Sequence, residues 1–220
     1  MHRWDLSPKD AIALQKELRL RVKLVPLKKR PKLIGGCDVS MSMFAKEGFA
    51  GFVVLNKELK VVDHTVVKDT IPFPYIPGLL SFREIPMLVK AWEKLKTKPD
   101  VIVVDGVGQA HPRRMGIATH LGLVLGVPMI GCAKSVLTGV YKEPADEPGS
   151  VSYMHDKNTQ EVIGAALRTK RGVRPVFVSA GHLITLEESI ELVKSGVLKH
   201  RLPEPTRQAH LMVNEYRILA

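Results

Sequence analysis

A mixed α/β fold is predicted: three antiparallel strands, then a parallel strand-helix-strand unit, flanked by helices. Three observations predict it. Segments 32–41, 47–56 and 60–70 are rich in Val, Ile and Phe, and short connectors with Gly48 and Asn56-Lys57-Glu58 join them, which is the economical form of an antiparallel meander. Val101-Ile102-Val103-Val104 is an unbroken apolar run, suited to a strand buried on both faces. A Gly-rich loop, a helix over 117–125 and a second buried strand over 128–133 follow it, and a strand-helix-strand order makes the two strands parallel.

The remaining elements frame that sheet. Ser7-Pro8-Lys9-Asp10 carries a capping side chain, Pro at the first helical position and an acid at the third, so a helix is expected over 8–22. Its stripe of Ile12, Leu14, Leu18 and Val22 makes it a packed-on layer. The Pro-rich loop 71–78 leads to a helix over 79–96 in which Pro86 is a candidate kink. Strands are expected over 151–154, 161–169 and 175–179, then helices over 185–194, with the capping box Thr185/Glu188, and over 205–218. Together these outline a ribonuclease H-like mixed sheet, read as one domain over 1–220 without an internal repeat.

At 220 residues a sizeable core is available, and 45% hydrophobic positions exclude the disordered, collagenous and disulfide-stapled classes. The longest apolar stretch, 121–133, is interrupted by Pro128 and falls short of the ~18 residues that span a bilayer. The first residues reach charge at once without an apolar signal region, so a cytoplasmic, membrane-free protein is expected, and a monomer. Cys37 and Cys132 each sit in an apolar run, which reads as buried reduced thiols, and no zinc spacing exists. Lys plus Arg number 33 against 22 acids, a formal charge of +11. That balance attracts polyanions and makes nucleic acid the leading partner class, with the excess concentrated in 19–23, 28–32 and 168–174.

Two acids stand where burial would be costly. Asp38 lies inside the first strand and Asp105 ends the apolar run 101–104. Taken singly, alternation could turn Asp38 outward and Asp105 could be plain loop. In the predicted topology, however, the first and fourth strands are central neighbours, so the two carboxylates face each other near the switch in strand order. A shared divalent ion follows, Mg²⁺ or Mn²⁺ from the oxygen ligands rather than zinc. Glu84 on the 79–96 helix and His210 on the last helix are candidate further ligands, although each alone is more often a surface Glu or a satisfied His.

The motifs then align with a known family. Gly36-Cys37-Asp38-Val39-Ser40, Phe73-Pro74-Tyr75-Ile76-Pro77-Gly78-Leu79-Leu80-Ser81-Phe82-Arg83-Glu84 and Asp105-Gly106-Val107-Gly108-Gln109-Ala110-His111-Pro112-Arg113 occur in order. Gly131-Cys132-Ala133-Lys134-Ser135, Ser179-Ala180-Gly181-His182 and Pro205-Thr206-Arg207-Gln208-Ala209-His210 complete the set. In these motifs the chain resembles endonuclease V, the deoxyinosine-directed repair nuclease, from Trp4 to about His210. The resemblance implies Mg²⁺-dependent hydrolysis, with Mn²⁺ able to substitute, of the second phosphodiester bond 3′ to deoxyinosine in single- or double-stranded DNA. It would leave 3′-hydroxyl and 5′-phosphate ends. It implies a metal site of Asp38, Glu84, Asp105 and His210, with Lys134 as the positive charge on the phosphate or leaving group.

The resemblance also makes Tyr75, held between prolines, a wedge that fills the gap left by an everted base, beside Pro77 in the DNA-binding loop. His111, Arg113 and Arg114 are expected near the phosphates. The base pocket is expected from Gly78, Leu80, Gly106, Gly108, Ile117, Gly131 and Ala133, where glycines let backbone groups reach a base edge. Two departures from the family pattern are visible, Met41 where many relatives carry an aromatic and Ala180 where Pro is usual. The alternatives are inosine-containing RNA as substrate on the same scaffold, and a non-catalytic nucleic-acid-binding domain.

Overall fold

The apolar run 101–104 is a strand buried on both faces, and it stands at the centre of the sheet. Ile102 and Val104 pack with Phe52, Ile85, Leu88 and Leu121 on one side; Val101 and Val103 pack with Ile130, Val178 and Ile190 on the other. The computed structural model describes residues 2–42 and 45–220. Its strands are β1 (Ile34–Ser40), β2 (Glu47–Leu55), β3 (Val61–Thr70), β4 (Val101–Val104), β5 (Met129–Ala133), β6 (Val151–His155), β7 (Val162–Leu167) and β8 (Val176–His182). They form one eight-stranded sheet in the order β3-β2-β1-β4-β5-β8-β7-β6. The pairs β1/β4 and β4/β5 are parallel, and the other neighbours are antiparallel. The mixed sheet expected from sequence is present, meander and parallel unit included.

Among the described residues five α-helices flank it: α1 (Pro8–Leu18), α2 (Leu80–Lys94), α3 (Ile117–Leu125), α4 (Leu186–Ser195) and α5 (Glu204–Leu219). The Ser7 hydroxyl accepts from the Asp10 amide at the start of α1, and the Thr185/Glu188 capping box closes the start of α4. Helix α2 runs through Pro86 without interruption. Helix α1 ends at Leu18, short of the expected Val22, and a single 3₁₀ turn follows. Its buried positions are Ala11, Gln15 and Leu18, and no residue of the turn beyond is buried, so nothing there rewards further helix. Strand β8 runs three residues past the expected Ser179, because Ala180 and His182 continue the ladder on Ile130 and Met129 across a register shift. Cys37 and Cys132 are buried free thiols in clusters on opposite faces of the sheet. Among the described residues no helix is long and apolar enough to cross a membrane.

Helix α5 lies on β1 and β2. Its start touches the sheet at Gly36, where a Cβ would stand 1.9 Å from the Pro205 carbonyl oxygen. That contact sets the height of α5 and, through it, of His210 over Asp38. Gly36→Ala must push the helix away or strain the strand, at a cost of about 1–3 kcal/mol. We expect thermal unfolding to shift down by roughly 3–10 °C; an unchanged melting temperature would show that α5 docks independently of this contact.

Candidate active site

Register places the two acids together. Cys37 pairs with Val104 in the parallel β1/β4 ladder, so the next residues, Asp38 and Asp105, stand side by side where the ladder ends. Helix α5 brings His210, whose Nδ1 is 2.7 Å from Asp38 Oδ2, and ligand atoms of Asp38, Asp105 and His210 lie within 4.8 Å of one another. Lys134, the residue after β5, pairs its ammonium with Asp105. Glu84 comes from the second turn of α2; it stands outside that close group but feels the charge of both aspartates.

The electrostatics show an excess of negative charge. The Asp38 carboxyl is raised from its ordinary value by burial, with Asp105 adding to the rise and the hydrogen bond with His210 opposing it. Glu84 is pushed up to about 8, first by burial, then by the charges of Asp38 and Asp105, against a smaller opposing effect of Arg83. Three carboxylates thus converge on one ammonium and one imidazole. A donor set of carboxylate oxygens with a single imidazole suits a hard divalent cation such as Mg²⁺ or Mn²⁺.

Two residues that sequence reasoning did not single out hold His210 in place. Asn214, one helical turn further on, donates to the His210 carbonyl at 2.8 Å and keeps its amide nitrogen 3.2–3.3 Å from both ring nitrogens. Ser40, two residues along β1 from Asp38, donates its hydroxyl to Asn214 Oδ1 at 2.7 Å. The signal was periodic: Asp38 and Ser40 share one face of β1, and His210 and Asn214, four residues apart on α5, meet them.

A cavity of about 340 Å³ opens beside the acids. Asp105 and Lys134 line it, together with Gly78, Leu80, Gly106, Ile117 and Ala133 from the expected base pocket and Pro77 from the expected DNA-binding loop. Gly108 and Gly131 lie behind its wall, where a Cβ on Gly131 would stand 2.5 Å from the Gly108 nitrogen. Gly78 turns the chain at φ +80°, a conformation that favours glycine, and so presents its carbonyl inward. Tyr75 is 69% exposed at the mouth.

The cationic loop after Asp105 is committed to the protein itself. The Arg113 guanidinium donates to Gly78 O at 2.7 Å and to Gln15 Oε1 at 2.5 Å, which explains why the buried stripe of α1 contains a glutamine. His111 accepts the Arg113 amide at Nδ1 and therefore donates from Nε2 to Gly78 O at 3.1 Å; burial and Arg113 push its pKa down to about 4, so the ring is neutral. Arg114, at φ +55°, pairs with Asp156 at 2.8 Å and Glu161 at 3.1 Å. Arg168, in one of the basic segments, is likewise buried against Glu143 and backbone carbonyls. Lys134 reaches both the cavity and the acids.

Comparison with known proteins gives a consistent result. The family model for Endonuclease V matches residues 16–211. The chain is 47% identical to Endonuclease V of Petrotoga mobilis over 213 residues, 96% of this chain and 94% of that one. It is also 47% identical to that of Myxococcus xanthus over 217 residues, 98% and 92% of the two chains. The crystal structure of Endonuclease V from Streptomyces avermitilis superposes with a TM-score of 0.92 at 38% identity, covering 98% of this chain and 95% of that one. Ciona intestinalis Endonuclease V, in complex with a 24mer DNA containing an inosine followed by a ribo-adenosine, gives 0.84 at 29% identity, covering 96% and 98%.

The raised Glu84 carboxyl links stability to pH and cation. Because its folded value is about 8 against an ordinary 4.5, the fold favours the protonated form, and that contribution is complete below pH 4.5 and lost as pH rises to 8. The metal-free protein should therefore melt progressively lower across this window, and Glu84→Gln should flatten the dependence. Mg²⁺ or Mn²⁺ should raise the melting temperature by about 2–8 °C at pH 8 and by much less at pH 5. Equal shifts at both pH values would contradict a cation site that includes Glu84.

Proposed function

The chain belongs to the endonuclease V family, and on that premise we propose that it is a Mg²⁺-dependent nuclease acting on deoxyinosine in DNA. In this reading it hydrolyses the second phosphodiester bond 3′ to the lesion and leaves 3′-hydroxyl and 5′-phosphate ends. One observation carries the reading: Asp105 and Lys134 belong both to the acid cluster and to the wall of a cavity large enough for a purine. A base held there keeps its own strand close to the acids. The inosine-containing DNA on the Ciona relative supports the same assignment.

Asp38, Asp105, Glu84 and His210 would hold the cation. When bound, it would supply an activated water and charge compensation at the phosphate and leaving oxygen. Lys134, released from Asp105, is placed to meet a phosphate oxygen. His210 keeps its orientation through Asn214 and Ser40. The everted base enters between the Gly78 turn and the loop at Gly106, and the Tyr75 ring at the mouth fills the space it vacates. The net charge of +11 draws the strands to the protein. Inosine-containing RNA is the second reading, favoured by the ribo-adenosine that follows inosine in the Ciona complex.

The deciding experiment is cleavage of matched DNA and RNA strands carrying one inosine, with and without Mg²⁺, and mapping of the product ends. We expect a single cut at the second bond 3′ to inosine, faster on DNA, and none without the cation. Asp38→Ala or Asp105→Ala should abolish the cut and leave binding detectable by gel shift, since the basic groups that hold the backbone are intact. Full activity in either variant, or binding without cleavage in the wild type, would overturn the nuclease assignment.

Tyr75 gives a separate outcome. Everting a paired base costs a few kcal/mol, most of which a single strand never incurs. Tyr75→Ala should therefore slow single-turnover cleavage of lesion duplexes more than of single strands, with Tyr75→Phe close to wild type on both. Equal slowing on both substrates would assign the tyrosine to the chemistry instead.

A further inference from the structure

A chain of hydrogen bonds runs from the cavity through His120 and His2 to the Arg3 carbonyl. Ser81 lines the cavity. Its Oγ is 2.9 Å from Nδ1 of His120, a fully buried residue. His120 Nε2 is 2.7 Å from Nε2 of His2, whose Nδ1 is 2.7 Å from the Arg3 carbonyl oxygen. Trp4 and Phe82 pack around the paired rings.

A carbonyl oxygen can only accept, so His2 carries its proton on Nδ1 and, in the neutral ring, presents a lone pair at Nε2. His120 must then donate from Nε2. Burial, with His2 beside it, pushes the His120 pKa down to about 3, so that ring holds one proton and Nδ1 is a lone pair. The Ser81 hydroxyl proton is consequently spent on His120.

Resting on the deoxyinosine reading, we infer that Ser81 is a specificity-determining residue whose Oγ, locked by His120 and His2, offers the cavity an acceptor only and takes the ring N1–H of a 6-oxopurine. Adenine has a bare lone pair at that ring nitrogen, which an acceptor repels. The pair of His120, buried, and His2, half-buried, otherwise without a task, thus sets the polarity of one wall of the cavity.

Three single-stranded DNA substrates test this, carrying deoxyinosine, 6-thio-deoxyinosine or deoxynebularine at one position. The thio base keeps N1–H and weakens the acceptor at C6; nebularine lacks both groups. Ser81→Ala should slow single-turnover cleavage of the inosine and thioinosine strands alike, by about three- to tenfold, and leave the nebularine rate unchanged. Ser81→Thr, which keeps the hydroxyl, should restore both rates. Equal slowing on all three substrates would reduce Ser81 to a structural role, and slowing confined to inosine would make it a donor to C6. Either result overturns the inference. Nitrogen-15 NMR of the wild-type histidines tests the direction without a variant: His2 protonated at Nδ1 and His120 at Nε2 support it, and His120 protonated at Nδ1 overturns it. If the wild type cleaved none of the three strands, the underlying deoxyinosine reading would fail instead, a result distinct from all of these.

Discussion

Two carboxylates stand side by side because two parallel strands run in register and both end on an aspartate. That placement is costly, and little stands against it: Lys134 on Asp105, His210 on Asp38 and, for Glu84, the weaker influence of Arg83. Much of the surrounding structure follows from keeping this unbalanced cluster rigid. The buried core of β4 fixes Asp105, the Gly36 contact fixes the height of α5, and the Ser40–Asn214 link fixes the ring that α5 carries. A cluster that repels itself and is held from three elements is arranged to be completed by a cation.

The cavity is built by different means. Its mobile-looking components, a proline-rich loop and a glycine-rich one, are tied together at one carbonyl. Gly78 O accepts from Arg113, His111 and Gln15, so loop 71–78, loop 105–116 and helix α1 meet at a single point. Charges that composition alone would send to the nucleic-acid backbone are used here as internal clamps, and the +11 balance overstates the cations free to meet a polyanion. Exposed cations include the segment from Arg19 to Lys32, with Arg171 and Arg174.

The sheet was legible because its signals were local and strong: segments rich in Val, Ile and Phe joined by short connectors, an unbroken run at 101–104, and helix caps at Ser7 and Thr185. Asp38 and Asp105 were legible as neighbours once strand order was inferred, since parallel pairing of the first and fourth strands leaves the register little choice. The stripe of α1 held at Leu18 and, half-buried, at Ile12 and Leu14, but it missed Gln15, which is buried for hydrogen bonding rather than for apolar contact, a demand that periodicity does not register. The extension of β8 to His182 depends on the ladder with Met129 and Ile130, which is tertiary information. For the same reason neither the internal commitment of Arg113 and Arg114 nor the Ser40–Asn214 support of His210 could be read along the chain. The partners lie 98, 42 and 174 positions away.

The central claim is that Asp38, Asp105, Glu84 and His210 converge on a divalent cation beside a base-sized cavity. Anomalous diffraction from crystals soaked in Mn²⁺, collected on both sides of the manganese edge, tests it most directly. The account predicts a strong peak among Asp38, Asp105 and His210, with Lys134 withdrawn from Asp105 and no comparable peak elsewhere. Strong peaks at other sites with none between the two aspartates would contradict it.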